Sequence, residues 1–271
     1  MNPPAAASRR AADGSPYPDR SRPGFERDIQ AMFTHIADGY DWFDHLASLG
    51  QDYLWRPRAL WDLDRYRAGR PVHRLLDIGC GPGDLTELAA HHFPHAEAVG
   101  ADFTAAMLRH AHRRSRRDRA AARLRYARAD AGRLPFADGS FDLVLSAFVI
   151  RNLPDLEGAL AEMRRVLRPG GTVFTLEITE PEHEGIVRLF HAYFDHVVPW
   201  LGAAARSAGP YRYLPESVRF LPDRAGILRK MRAAGLDRAE AHPQFLGVVT
   251  TYLGTAAPAK LMVPPPVGPE R

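Results

Sequence analysis

The chain has 271 residues, 45% hydrophobic and 25% charged, with a formal net charge of +4 carried almost wholly by arginine. That length and apolar content suit one α/β domain with a full core plus tails. No apolar run approaches the ~20 residues that span a bilayer, and no apolar stretch follows the N-terminal arginines, so neither a membrane span nor a secretory signal is expected. The single cysteine, Cys80, excludes an internal disulfide and fits a reducing, cytoplasmic setting.

Residues 1–24 are rich in Pro, Ala, Arg, Ser and Gly and read as a disordered tail, as does the C-terminal segment 257–271 with its VPPPVGPER end. Residues 25–70 are helical in pattern and are expected to cap a sheet. From residue 72 onward strand and helix patterns alternate. The first strand, 73–79, contains the apolar run Leu75 to Ile78 and breaks into Gly79-Cys80-Gly81-Pro82-Gly83, which leads into a helix over 85–93. A strand over 97–102 ends on Asp102. A helix over 104–119 and strands over 124–130 and 141–148 follow. A helix over 155–167 stops at Arg168-Pro169-Gly170-Gly171 and turns into a strand over 171–179. The stretch 183–206 is amphipathic, with Val187, Phe190, Phe194, Val197, Val198 and Leu201, and opens a substrate-covering insertion over 183–220. Asp223 is expected to cap a helix ending near Gly235, and AEAHPQFLGVVTTYLGTA reads as two strands meeting around Gly247. Such alternation predicts an α/β fold with a mostly parallel sheet and helices on both faces.

The chemistry concentrates where strands end. Alternate glycines let the backbone turn sharply and let a ligand approach with no Cβ in the way. The helix that follows offers free N–H groups and the positive end of its dipole. Asp102, about 20 residues further on, stands where an acidic side chain accepts hydrogen bonds from ribose hydroxyls. The spacing is G-x-G-x-G, not the G-x-G-x-x-G of dinucleotide enzymes, and a tight turn without a ligand is the plainer alternative. Asp130 and the segment Ser146 to Asn152 also fall at carboxyl ends of strands, where open α/β sheets bind ligands. Arg109 to Arg125 form a dense basic run. It reads as a solvated helix face, since no aromatics interleave the charges. His91, His92 and His95 read as exposed and not as a metal site.

Seven segments, taken together, resemble class I S-adenosylmethionine-dependent methyltransferases: LLDIGCGPGD, GADFTAAML, ADAGRLPFADGSFDLV and LAEMRRVLRPGGTV, with IADGYDWFDHLASLGQDYLWR, SAFVIRNLPD and PYRYLPESVRFLP. The last three are similar to the ubiquinone/menaquinone biosynthesis C-methyltransferase family over roughly residues 25–256. The resemblance implies a Rossmann-like fold with a mostly parallel seven-stranded sheet and a helical cap, and S-adenosylmethionine as cofactor. It implies that Asp77, Gly79, Gly81 and Gly83 shape the cofactor loop, that Asp102 holds the ribose, and that Asp130 and the Ala131 backbone meet the adenine. Ser146 is grouped with these. Tyr40, Arg151 and Asn152 are the expected catalytic group. Asp44, Val149, Tyr211 and Tyr213 are expected to face the substrate. The family pattern has Asn, His and Gly where this chain has Asp44, Asp52 and Val149.

The expected reaction is C-methylation of a reduced quinone ring, demethylmenaquinol to menaquinol. Arg151 is assigned to a developing phenolate, because guanidinium is a poor base, and Asn152 to a ring oxygen. The general base, Asp44 or a water, stays open. The plainer readings are a surface ion pair for Arg151, a cap of the 155–167 helix for Asn152 and core packing for Tyr211 and Tyr213. Two other functions remain: a methyltransferase of the same fold acting on a soluble aromatic metabolite, and a non-catalytic interaction protein. The expected partner is a quinol or other aromatic small molecule, not nucleic acid, with peripheral membrane contact and a homodimer left open.

Overall fold

The computed structural model describes residues 24–36, 50–198, 200 and 208–257, without the side chains of 36, 52, 53 and 208–212. Both expected tails lie otherwise outside the described residues. Seven strands form one sheet: β1 (Arg74–Ile78), β2 (Glu97–Asp102), β3 (Leu124–Arg128), β4 (Phe141–Ala147), β5 (Leu167–Ile178), β6 (Leu236–Gln244) and β7 (Val249–Ala256). Their order is β3-β2-β1-β4-β5-β7-β6. The first five pair in parallel, and β7 pairs antiparallel with both β5 and β6.

Helices cover both faces because the strands are apolar on both. Along β4, Leu143 and Leu145 enter one cluster and Val144 the other, as the two-residue strand period requires. The first cluster packs under α2 (Asp52–Arg67) and α3 (Asp84–His92), through Trp55, Leu60, Leu63, Leu85 and Ala89. The second lies under α5 (Leu156–Val166) and α8 (Arg224–Ala233), through Leu160, Met163, Ile227 and Met231. At one edge, α4 (Ala105–Ser115) carries Ala106 and Met107 against Phe33 of α1 (Phe25–Ile36). On α1, Phe25 and Ile29 pack with Tyr213 of α7 (Ala208–Arg219), and Gln30 donates to the Phe103 carbonyl at 2.8 Å. The amphipathic stretch after β5 becomes α6 (Glu184–Ala192) and a π-turn, Tyr193–Val197, which bury Phe190, Phe194 and Val198 one turn apart.

Local chemistry explains where element ends depart from expectation. α4 stops at Ser115 because the Asp118 carboxylate accepts from Ala120 N at 2.6 Å and turns the chain. β3 stops at Arg128, and the Asp130 carboxylate closes a similar turn onto Gly132 N at 2.9 Å. β5 begins four residues earlier than expected, at Leu167. The Pro-Gly-Gly stretch is absorbed as a bulge between the pairs Phe141–Leu167 and Leu143–Thr172. Asp155 caps α5 through Gly158 N at 2.9 Å, so Asn152 is not the cap; Asp223 caps α8 through Gly226 N at 2.7 Å, as expected. Leu143, fully buried in the central strand, gives a direct measure of this core. Leu143→Ala is expected to lower unfolding free energy by about 2–5 kcal/mol in urea titration, with an unchanged slope.

Candidate active site

The strand order reverses at β1, which is flanked by β2 on one side and β4 on the other. Ligands of open α/β sheets bind above such a point. The loop after β1 is moored to the end of β2: Gly79 N and Cys80 N both donate to the Ala101 carbonyl, at 2.7 and 3.1 Å, and Gly81 N donates to the Asp102 carboxylate at 2.9 Å. Gly79, Gly81 and Gly83 all have positive φ, at +65°, +54° and +97°. A Cβ on Gly79 would overlap the Val149 side chain, and one on Gly83 would lie 2.7 Å from the Tyr126 hydroxyl, whereas one on Gly81 would meet nothing within 4 Å. The first and third glycines are therefore required by packing. The second faces open space, as a ligand cradle does.

That space is a cleft of about 920 Å³, counting its mouth. Glu26, Ile29 and Phe33 of α1 form its roof, and Phe103, Thr104 and Met107 one wall. Asp130 and Ala131 stand at one end, and Ala147 to Val149 with Asn152 to Pro154 at the other. Asp102 is buried. It accepts from Gly81 N and from Thr104 N (2.7 Å), and burial raises its pKa. Asp77, buried one residue before the end of β1, accepts from Thr86 Oγ1 at 2.6 Å. Burial pushes its pKa up to about 7, against the hydrogen bond from Thr86 and the Arg56 charge.

The far wall turns on Phe148, a non-glycine residue with φ of +62°. Its N–H donates to the Leu176 carbonyl at 2.7 Å, and its ring lies 5.9 Å from that of Trp55. Such strain persists only where surroundings enforce it, and it clusters at functional sites. The next residues form a 3₁₀ turn, Ile150–Asn152. Asn152 lines the cleft; its amide donates to Phe148 O at 3.3 Å and its oxygen accepts from Tyr213 Oη at 3.0 Å. Arg151 turns away. Its guanidinium pairs with Glu177, which is fully buried at the end of β5 and also accepts from Arg151 N at 3.1 Å. Burial raises the Glu177 pKa, opposed by Arg151.

The structure thus brings Gly79, Gly81, Asp102, Asp130, Ala131, Val149 and Asn152 together on one cleft, with Tyr213 bonded to its wall. Asp77 sits behind the loop. Gly83 starts α3. Ser146 is buried in β4 and does not line the cleft. Tyr40 and Asp44 lie outside the described residues, as do the side chains of Asp52 and Tyr211. His91 and His92 diverge to Asp118 and Asp64. Sequence reasoning missed Glu177, Thr86, Phe148 and the roof residues of α1. Only Glu177 left a trace, as an acidic residue inside an otherwise apolar strand.

The fold matches phosphoethanolamine N-methyltransferase 2 of Haemonchus contortus, solved in complex with S-adenosyl-L-methionine (TM-score 0.54, 18% identity, 74% of this chain and 52% of that one). It also matches the [4+2]-cyclase SpnF (TM-score 0.54, 18% identity, 73% and 80%). A sheet of this order with a glycine loop above β1 defines the class I methyltransferase architecture, which the cyclase shows is not bound to one reaction. The chain belongs to the ubiE/COQ5 methyltransferase family, whose profile matches residues 23–256. Among its relatives are the demethylmenaquinone methyltransferases of Thermus thermophilus (42% identical, 75% of this chain, 90% of the relative) and Roseiflexus sp. (40%, 88%, 96%). A ubiquinone/menaquinone biosynthesis C-methyltransferase of Dinoroseobacter shibae is 36% identical over 83% of this chain and 89% of its own.

Asp77 makes a pH prediction. Folded, it keeps its proton up to about pH 7; unfolded, only to about pH 4. The folded state therefore binds more protons across that window, and stability falls as pH rises through it, by an amount on the order of a few kcal/mol. Asp102 and Glu177, also raised by burial, slope the same way. Asp77→Asn is expected to flatten the decline in urea midpoint between pH 5 and 7.5. An unchanged decline would assign the slope to the other two.

Proposed function

We propose that this methyltransferase uses S-adenosylmethionine to methylate a ring carbon of a reduced quinone, demethylmenaquinol. The observation that carries the reading is the cleft: beyond its carboxylates, Glu26, Asp102 and Asp130, it has apolar walls of Ile29, Phe33, Met107, Phe148, Val149 and Leu153, with one neutral amide, Asn152, among the described lining residues. A flat apolar ring with a hydroxyl edge fits such walls. The relatives' names point the same way.

When bound, the cofactor supplies a methyl group already activated on sulfonium. The residues of this chain position and shield. Gly81 leaves room along the loop; Asp102 would hold the ribose hydroxyls, and Asp130 and Ala131, which line the same cleft, would meet the adenine. The apolar walls shield a step in which a carbon–carbon bond forms, the carbon–sulfur bond breaks and the ring carbon passes its proton to a base, Asp44 or a water. Asn152 has two N–H groups, and one bonds Phe148 O, so the second is available to a ring oxygen as it gains charge. Arg151, ion-paired with Glu177 and donating its N–H to the same carboxylate, fixes the turn that presents Asn152.

The test is direct: purified protein, S-adenosylmethionine and a reduced demethylnaphthoquinone, with the product read by mass spectrometry. Gain of one methyl on carbon supports the reading. Methylation only of water-soluble phenols would replace it. In single-turnover assays Asn152→Ala is expected to lower the methyl-transfer rate by about 10²–10³-fold with cofactor affinity retained. A wild-type rate would remove Asn152 from the chemistry. Thermal unfolding run beside it checks the fold.

We further infer peripheral membrane contact. Among the described residues no helix is long and apolar enough to cross a membrane. Leu189, Trp200 and Leu246 are nonetheless 71%, 68% and 75% exposed, and the latter's loop joins β6 to β7 at the cleft end of the sheet. Flotation with vesicles is expected to carry the protein upward, and Leu246→Glu to reduce this. Equal flotation of both would place the contact elsewhere.

A further inference from the structure

A second recess borders the same glycine loop. It shares Gly79, Gly81 and Ala147 with the cleft, and Arg56, Asp77 and Asp84 add its charged groups. The charges are divided between the two spaces. Among the described residues the cleft is lined by three carboxylates, Glu26, Asp102 and Asp130, and by no basic side chain. In the recess Arg56 is the one basic side chain among the lining residues. A ligand that carries a nucleoside at one end and an α-amino acid at the other has an anion to place, and the cleft repels it. The nucleoside suits the side with Asp102 and Ala131. The zwitterion suits the side with a guanidinium and a buried carboxylate.

We propose that Arg56 is the cation that holds the α-carboxylate of the cofactor's amino-acid end, a role resting on the S-adenosylmethionine reading above. The side chain is placed for it from two directions. Its neighbour Trp55 is buried and packs on Phe148 and Phe245, at 5.9 and 6.2 Å between ring centroids, which pins this turn of α2 above the loop. Its own guanidinium carbon lies 5.6 Å from the centre of the ring of Phe148, a lining residue of the cleft. A planar guanidinium grips a carboxylate through two parallel N–H bonds, which a point charge cannot copy. The start of α3 adds loop N–H groups, but Asp84 in its first turn offsets its pull on an anion. The guanidinium therefore carries the discrimination. Arg56 also faces Asp77, and the plain rival is that it serves only to neutralise that buried acid.

Two ligands separate these roles. S-adenosylhomocysteine carries the amino-acid end, and 5′-methylthioadenosine keeps the nucleoside and thioether without it. Calorimetric titration of wild type, Arg56→Gln and Arg56→Lys with each is read beside thermal unfolding. The proposal expects Arg56→Gln to weaken S-adenosylhomocysteine by about 10- to 100-fold, the scale of a charge-assisted bond, and to leave methylthioadenosine within about twofold. Arg56→Lys is expected to fall between. Equal binding of S-adenosylhomocysteine by all three proteins overturns the role. So does parallel loss of both ligands, which makes Arg56 a structural partner of Asp77. If Arg56→Gln does not fold, the lysine variant decides by the same ratio. A wild-type protein that binds neither ligand overturns the cofactor reading itself, and is told apart because no variant enters that comparison.

Discussion

Three backbone N–H groups at the end of β1 and one carboxylate at the end of β2 determine the rest of the site. Gly79 and Cys80 donate to Ala101 O, and Gly81 donates to Asp102. These bonds force the chain to reverse within a few residues, which only left-handed backbone at Gly79, Gly81 and Gly83 permits. The reversal leads into α3 and borders two spaces, a cleft with three carboxylates and a recess with one guanidinium and two carboxylates among the described residues. Asp102 is committed twice before any ligand arrives, to Gly81 and Thr104, so its orientation is preset. A preset acceptor loses little entropy on binding.

The opposite wall is held by a different device. Glu177 ends β5 with no exposure to solvent and takes both the guanidinium and the N–H of Arg151. A buried ion pair of this sort is weak evidence for net stability, yet breaking one side is costly, at about 3–5 kcal/mol. Its effect is geometric. It locks the turn Ile150–Asn152 just after the strained Phe148, and so fixes Asn152 between Phe148 O and Tyr213 Oη. The cap is tied to the sheet at that point. A family pattern that places Arg and Asn side by side is satisfied here with the two side chains pointing different ways.

The sequence made the sheet legible because its signals are local. β1, β2, β3 and β4 follow from short apolar runs, and α8 from Asp223, whose cap needs only the next three residues. What it hid depends on distant partners. Nothing near Asp155 and Asn152 says which of these two polar residues, three positions apart, will cap α5; in the structure Asp155 caps it, and Asn152 bonds Phe148 and Tyr213. Arg151 was readable as a charge but not in its direction, since Glu177 is 26 residues away. The glycine pattern was visible, whereas the distinct reasons for each glycine were not. Gly79 yields to Val149 and Gly83 to Tyr126, both contacts across the fold.

Arginine dominates the composition, and the fold shows where much of it goes. Arg67, nearly fully buried, donates to the carbonyls of Asp142, Arg70 and Pro71 and to Thr172 Oγ1, and burial lowers its pKa to about 10. Arg123 donates to Ala90 O and Ala96 O at the end of α3, and Arg165 to Leu134 O and Phe136 O. Arg114, inside the basic run read from sequence, pairs with Asp84 and Glu87. The planar fork suits this use, since several fixed N–H groups satisfy carbonyls that no strand or helix reaches. A positive net charge therefore need not mark an anionic partner. These guanidinium groups are read by the groups each one meets, and Arg56 is read by its place beside Asp77 and the glycine loop. It is carried by the cap, stacks on the strained Phe148 and borders the loop on which the site is built.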